Sequence, residues 1–465
     1  MGLRLNNKMH FSIVGYITTV CFLFALGTVQ AATVVLDLSQ SVERALKTDA
    51  RISEKEKLVE AARGLLAEAR GADDWLFNVN SFVGFSPTLR GGLFETTDSS
   101  GKRAVGIPDN AFDIDGLSPW YYVDFSFIKP LHTFGKIKHY SKAAAGNIQV
   151  KQGDVAIRRG QTLLEVTRAY NGYLAARDTR FLLEDSAQKM EAALALVQGW
   201  LDDGEGEAKQ SDLFALQTGV ALLQRYVAEA AGFENIALAG LRLLTNVAPD
   251  DELELADKRL RPVELPGDEL RALQARALVQ RPEMRQLAAG LQARREWMLA
   301  KKSEANPNLY TGLAGIISYS PLRDDLTSVS AYDPFNTAGA TPILGLQWEW
   351  ASGRQPAQVA QARAEMESTL ALRTFAQRGI PFQVAEQYHT VHAHYEMVQK
   401  LYEGSRSGRR WMISSYADFE AGVEQADKVI SAFLGYIQAY SDYLKTVNDY
   451  NLHVAKLRVV TGEIE

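Results

Sequence analysis

Three histidines stand closest to one another in the stretch HTVHAH: His389, His392 and His394. Imidazoles at short spacing are metal ligands, and a zinc site needs three or four that converge. On a helix, His389 and His392 share a face while His394 points elsewhere. A metal site and a plain polar helix face both fit this pattern. The remaining chemistry is charge. Asp212, Asp418 and Glu420 are acids beside polar interruptions in long patterned segments, and Arg406, Arg409 and Arg410 form a basic patch. No phosphate loop, zinc-protease motif or Gly-x-Ser-x-Gly elbow occurs. No catalytic residue and no cofactor is therefore expected. A net charge of −6 gives no reason to expect nucleic acid.

These residues sit in a chain organised around a segment that occurs twice. Residues 75–87 read WLFNVNSFVGFSP and residues 308–321 read NLYTGLAGIISYSP. Both alternate with the period of a strand. Phe77, Val79, Val83 and Phe85 share one face, against Asn78, Asn80 and Gly84. Leu309, Leu313, Ile317 and Tyr319 do the same, against Gly312, Ala314 and Ser318. Each copy is followed, after a polar loop, by a partner strand. Residues 121–128 set Tyr121, Val123, Phe125 and Phe127 against Tyr122, Asp124 and Ser126. Residues 343–350 set Leu344, Leu346, Trp348 and Trp350 against Gly345, Gln347 and Glu349. Aromatics on one face and charge on the other suit a wall between lipid and water, and a tilted membrane strand needs about 9–11 residues. Half-buried hairpins of a soluble protein show the same alternation.

Around the strands the pattern is helical. Residues 1–31 read as a secretory signal: Arg4 and Lys8, an apolar stretch over 11–26, and Val29-Gln30-Ala31 as cleavage site. Cys21, the only cysteine, lies inside it, so the mature chain is expected to hold no thiol. No later apolar run approaches the ~18 residues of a membrane helix. Ser39 reads as an N-cap opening a helix to about Arg70, where Gly71 stops it. Helical pattern then runs over 136–199, breaks at 202–211 and resumes over 212–247. Residues 248–267, with Pro249, Pro262 and Pro266, read as a crossover linker. After it the order repeats: Ala277-Leu278-Val279-Gln280-Arg281-Pro282-Glu283-Met284 answers Ala45-Leu46-Lys47-Thr48-Asp49-Ala50-Arg51-Ile52. The chain thus divides into a signal (1–31), a first repeat (32–247), a linker (248–267) and a second repeat (268–465). Val384, Tyr388, Val391, Tyr395, Val398 and Tyr402 step by 4 and 3, as do Phe433, Ile437, Tyr440, Leu444, Val447, Asn451 and Val454. Such a seam, with no breakers over these lengths, predicts supercoiled helices.

The ordered duplication resembles TolC-type outer-membrane efflux proteins over nearly the whole mature chain. The opening helix at Leu38–Leu46, its repeat at 277–284, the strand-to-helix corners PLHTFGK (130–136) and ASGR (351–354), and the closing DYNL (449–452) carry the likeness. The resemblance implies a mainly α protein with a transmembrane β-barrel: a homotrimer with one twelve-stranded barrel, four strands per chain, continued by a coiled-coil tunnel through the periplasm. It implies an exit duct in the outer membrane, docked through a periplasmic adaptor to an inner-membrane transporter of an efflux or type I secretion system. A soluble periplasmic coiled-coil adaptor is the alternative. In the family the tunnel tip carries a glycine six residues before an aspartate. Gly206 and Asp212 match, and residues 404–410 stand as the second tip, further from Asp418. In a trimer, Asp418 with Glu420 would form inward rings that favour cations. A solvated surface acid is the other reading of Asp418. Arg406, Arg409 and Arg410 would pair there with adaptor acids, or with Asp202, Asp203, Glu205 and Glu207.

Overall fold

A computed structural model describes residues 33–88, 94–97, 100–101, 103–106, 116–204, 209–324, 332–349 and 352–463. The expected signal, residues 1–31, lies outside the described residues, as do Glu205, Gly206, Glu207 and Trp350.

The chain opens with strand β1 (Thr33–Leu36) and helices α1 (Leu38–Thr48) and α2 (Ala50–Gly71). Asp37, not Ser39, is the cap: its carboxylate accepts from the Gln40 amide, and the Gln40 side chain accepts from the Asp37 amide. The expected single helix is broken at Asp49, which caps α2 in turn. Strand β2 (Leu76–Pro87), a short hairpin of β3 (Phe94–Thr97) and β4 (Arg103–Gly106), and β5 (Leu117–His132) follow. Helix α3 (Lys136–Asp203) spans 68 residues, about 100 Å of continuous helix. Helix α4 (Gln210–Thr245) returns.

The crossover carries an element that its prolines and charges concealed. β6 (Glu252–Leu255) pairs in parallel with β1, Val34 opposite Leu253. Helices α5 (Leu270–Gln280) and α6 (Pro282–Ser303) then break at Arg281, the position that answers Asp49 in the repeated motif. β7 (Asn308–Tyr319), β8 (Thr337–Gln347), α7 (Arg354–Glu420) and α8 (Ala426–Thr461) complete the chain. β8 begins six residues before the expected 343, through the small residues of TAGATP. α7 runs through Pro381 without ending, so the premise that it holds no breaker fails.

Three levels of the molecule are rows of four elements. The sheet runs β2-β5-β7-β8, each strand antiparallel to its neighbours. Beneath it the packing order is α2-α3-α6-α7, and further down α4-α3-α8-α7. The predicted seam is the core. Val384, Val391, Val398, Leu444, Val447 and Val454 are all buried where α7 meets α8. A second cluster, including Met190, Leu216, Phe419 and Phe433, closes the far end.

Candidate functional site

The register decides what the sheet presents. Phe77 pairs with Phe127 and Val79 with Phe125; Phe127 pairs with Leu313, Val123 with Ile317 and Tyr121 with Tyr319; Leu309 pairs with Leu346. Paired residues share a face, so the apolar sets of all four strands fall on one side. That side is open: Val83 and Phe85 are each 71% exposed, Leu344 72% and Phe77 62%. A soluble monomer rarely shows so large an apolar patch without a partner for it. Asn78, Asn80, Asp124, Ser126 and Gln347 take the other side, where the Asn80 amide donates to Asp124 at 2.9 Å.

The polar side is the inside of a curve at the end far from the helices. Strands two apart in a flat sheet lie about 9–10 Å from each other. Yet the hydroxyls of Ser86 and Ser320 are 2.7 Å apart, and Ser320 donates to Ser118 between them at 2.7 Å. All three serines are fully buried.

A polar belt holds the crossover against the long helices. The Tyr170 hydroxyl donates to Asp257 Oδ2 at 2.6 Å, and burial together with that carboxylate pushes the phenol well above its usual range. The Leu260 amide donates to Asp178 Oδ2 at 2.8 Å, while burial raises the Asp178 carboxyl. Asn451 accepts from the Val263 amide at 3.0 Å and donates to the Arg261 carbonyl at 2.9 Å. At the break between α1 and α2, Asp49 accepts from Arg51 Nε at 2.9 Å and Thr162 Oγ1 at 2.7 Å. Burial alone would push the Asp49 carboxyl up; these bonds outweigh it and hold the group well below the carboxylate range.

The sequence-predicted site residues do not converge. Residues 404–410 are not a tip. They lie inside α7, and Arg410 is ten residues short of its end at Glu420, about 15 Å. The turn is 421–425, where Gly422 takes φ +74°. Arg406 lies over the Tyr402 ring and Arg410 donates to Ser407 Oγ at 3.3 Å, so neither reaches the acids at the end of α3. Asp418 is in the last turn of α7 with its side chain exposed, and its carbonyl accepts from the Val423 amide at 2.9 Å. Glu420 is exposed beside Tyr416, whose phenol is raised by burial and then by that charge. Asp212 caps α4, accepting from the Lys209 amide at 3.0 Å. Asp427 stands in the first turn of α8, five residues past Gly422. This is the helix turn that residues 404–410 were expected to supply.

The histidines separate. His389 and His392 pack on Tyr388, whereas His394 lies tilted against His453 of α8 with ring centroids 4.7 Å apart. No group of three metal-ligating side chains forms among the described residues. Sequence reasoning missed His453 because its partner is 59 positions away, on another helix.

A four-stranded antiparallel sheet continued by a row of long helices is a fold that this chain shares with solved outer-membrane channels. No family model and no curated protein matches the sequence. Solved structures match it. The outer-membrane channel CmeC of Campylobacter jejuni is 11% identical, covering 92% of this chain and 85% of its own, with TM-score 0.73. CusC is 15% identical over 92% and 93%, with TM-score 0.72. The open state of the MtrE outer-membrane channel of Neisseria gonorrhoeae is 15% identical over 92% and 89%, with TM-score 0.70. At such identities what is shared is the fold.

Proposed function

We propose that this chain is one protomer of a passive exit duct in the outer membrane. The observation that carries the reading is the in-register apolar face, exposed on a sheet whose other side is polar and curls inward. Lipid covers the first, and water fills the second. Among the described residues no helix is long and apolar enough to cross a membrane, so the sheet is the membrane element in this reading. A soluble adaptor has no use for such a face.

An open sheet edge is not tolerated in lipid. Four alternating strands make β8 of one copy antiparallel to β2 of the next, so copies close on themselves. Two copies give eight strands, whose interior side chains fill; three give twelve and leave a lumen. The helical rows end in matching fashion. α4 exposes Phe214, Phe233, Ile236 and Leu243, and α7 exposes Phe375, Phe382 and Trp411. These stripes are the surfaces on which copies join into a tunnel. The two repeats (32–247 and 268–465) are the duplicated halves of the protomer, and residues 1–31 direct its export. The adjoining ends of α3 and α4 and the turn at 421–425 face a periplasmic adaptor and the inner-membrane transporter behind it, which selects the cargo. Asp418 and Glu420 stand beside the second tip as inward acids that favour cations.

Fractionation tests the reading. The protein should sediment with the outer membrane and, in detergent, scatter light as a trimer. Recovery as a monodisperse soluble periplasmic monomer would refute it.

A further inference from the structure

The mouth of the sheet carries an element that neither the lipid face nor the tips require. Residues 332–336, leading into β8, lie across the polar face. The Phe335 ring meets Trp120 edge-on at 4.9 Å, and Trp120 meets Phe82 at 4.9 Å; Phe82 stacks on Tyr122 at 4.6 Å. Trp120 Nε1 donates to Ser318 Oγ at 2.8 Å, and that hydroxyl donates to the Pro334 carbonyl at 2.7 Å. Large aromatics thus gather on the face that elsewhere presents Asn78, Asn80 and Asp124.

A clasp holds this segment down. Arg323 donates to both carboxylate oxygens of Asp333, at 2.9 and 3.0 Å, and their side chains are only 10% and 3% exposed. The same guanidinium reaches the Pro87 carbonyl at the end of β2 and lies 4.8 Å over the Phe335 ring. Asn336 accepts from the Ser320 amide at 2.7 Å and donates to the Arg323 carbonyl at 3.1 Å. A bidentate pair this dry is strongly directional, and breaking it leaves an uncompensated buried charge.

We propose that residues 332–336 form an outer gate. Their ring-on-ring contact with Trp120 narrows the lumen, the Arg323–Asp333 pair keeps them shut, and cargo leaving from within must displace them. The inference rests on the reading that the polar face lines the lumen. It is distinct from closure at the helix tips, which lie at the opposite end of the molecule.

The test exploits the expected absence of thiols from the exported chain. Asn80→Cys places a thiol on the polar face, inward of Phe82. Reagents are added from outside to cells carrying the full-length trimer: a small charged thiol reagent and one carrying a long polyethylene glycol chain. With the segment intact, the small reagent should label and the bulky one should be excluded. In Phe335→Ala and in Asp333→Ala, the bulky reagent should label at least about tenfold faster, which is what roughly 1.4 kcal/mol lost from the closed state produces. Phe335→Ala leaves the ion pair in place, so it reports the gate even where Asp333→Ala assembles poorly. Equal bulky labelling in all backgrounds overturns the gate while leaving the duct. Labelling of Asn80→Cys only by a lipid-soluble reagent, in every background, overturns the assignment of the faces and the duct with it.

Discussion

Two neighbouring residues offer a stringent test of the sheet. Ile317 lies on the exposed apolar face, paired with Val123 and Ala338; Ile316, one position earlier, lies on the polar face, paired with Asp124 and Gly339. In the proposed duct, Ile317→Lys would send an ammonium into lipid at a cost of about 2–4 kcal/mol near the bilayer midplane, and a trimer would carry it three times, about 6–12 kcal/mol per assembly. Ile316→Lys sends the same group into water beside Asp124, an exposed pairing worth about 0.2–1 kcal/mol in its favour. Guanidinium unfolding of the trimer in liposomes, with the fraction of detergent-resistant trimer as a second readout, should show Ile317→Lys losing most of its assembly and Ile316→Lys staying near wild type. Equal damage from the two, or greater damage from Ile316→Lys, would mean that the exposed apolar face does not meet lipid.

The other expectations concern the helices. The Asp49 carboxyl is held below its ordinary value in the folded chain, so its contribution is present above about pH 4 and is lost as pH falls toward the folded value; Asp49→Asn should remove that part of the acid sensitivity and lower stability at pH 7 by about 1–3 kcal/mol, read by denaturant midpoints across pH. A Cβ on Gly146 would sit 2.8 Å from the Ala293 side chain and 3.3 Å from the Ala289 carbonyl. Gly146→Val should therefore force α3 from α6 and cost about 1–3 kcal/mol in thermal unfolding; an unchanged midpoint would show the seam to be loose. Asp418→Ala should weaken the cation preference of single channels in a planar bilayer, and unchanged selectivity would leave Asp418 a solvated surface acid.

What could be read from residues alone followed from what has a period. The strand faces have period two, and their apolar sets meet across three pairings in the observed register. The seam of α7 and α8 has period 3.5; its valines and Leu444 are buried, while its tyrosines are half-buried or, at Tyr402, exposed. What lacked a period was lost. The first half of β8, TAGATP, has too little side chain to alternate. The β1–β6 pair consists of two four-residue strands far apart in sequence, each too short to announce itself. The glycines of 404–410 read as a turn, but a Cβ on Gly408 would lie 3.2 Å from the Tyr436 backbone. That glycine admits a neighbouring helix rather than bending its own. The true turn, at Gly422, follows an unbroken helical stretch and gave no comparable warning. The clasp of Arg323 and Asp333 joins residues whose kinship is purely spatial, as does the pairing of His394 with His453.

The rows of four bear on how such a protein comes into being. A barrel made from one chain can finish folding alone, because its last strand finds its first. Here, on the proposed assembly, the final hydrogen bonds of β8 belong to another copy, and so do the partners of Phe233, Ile236 and Leu243 on α4. Maturation then depends on encounter, and stability depends on protomer concentration as much as on sequence. An underproduced or arrested chain would be an adhesive fragment, fit for periplasmic chaperones and proteases. Dosage, rather than the strength of any one contact, would set how many working pores a cell owns.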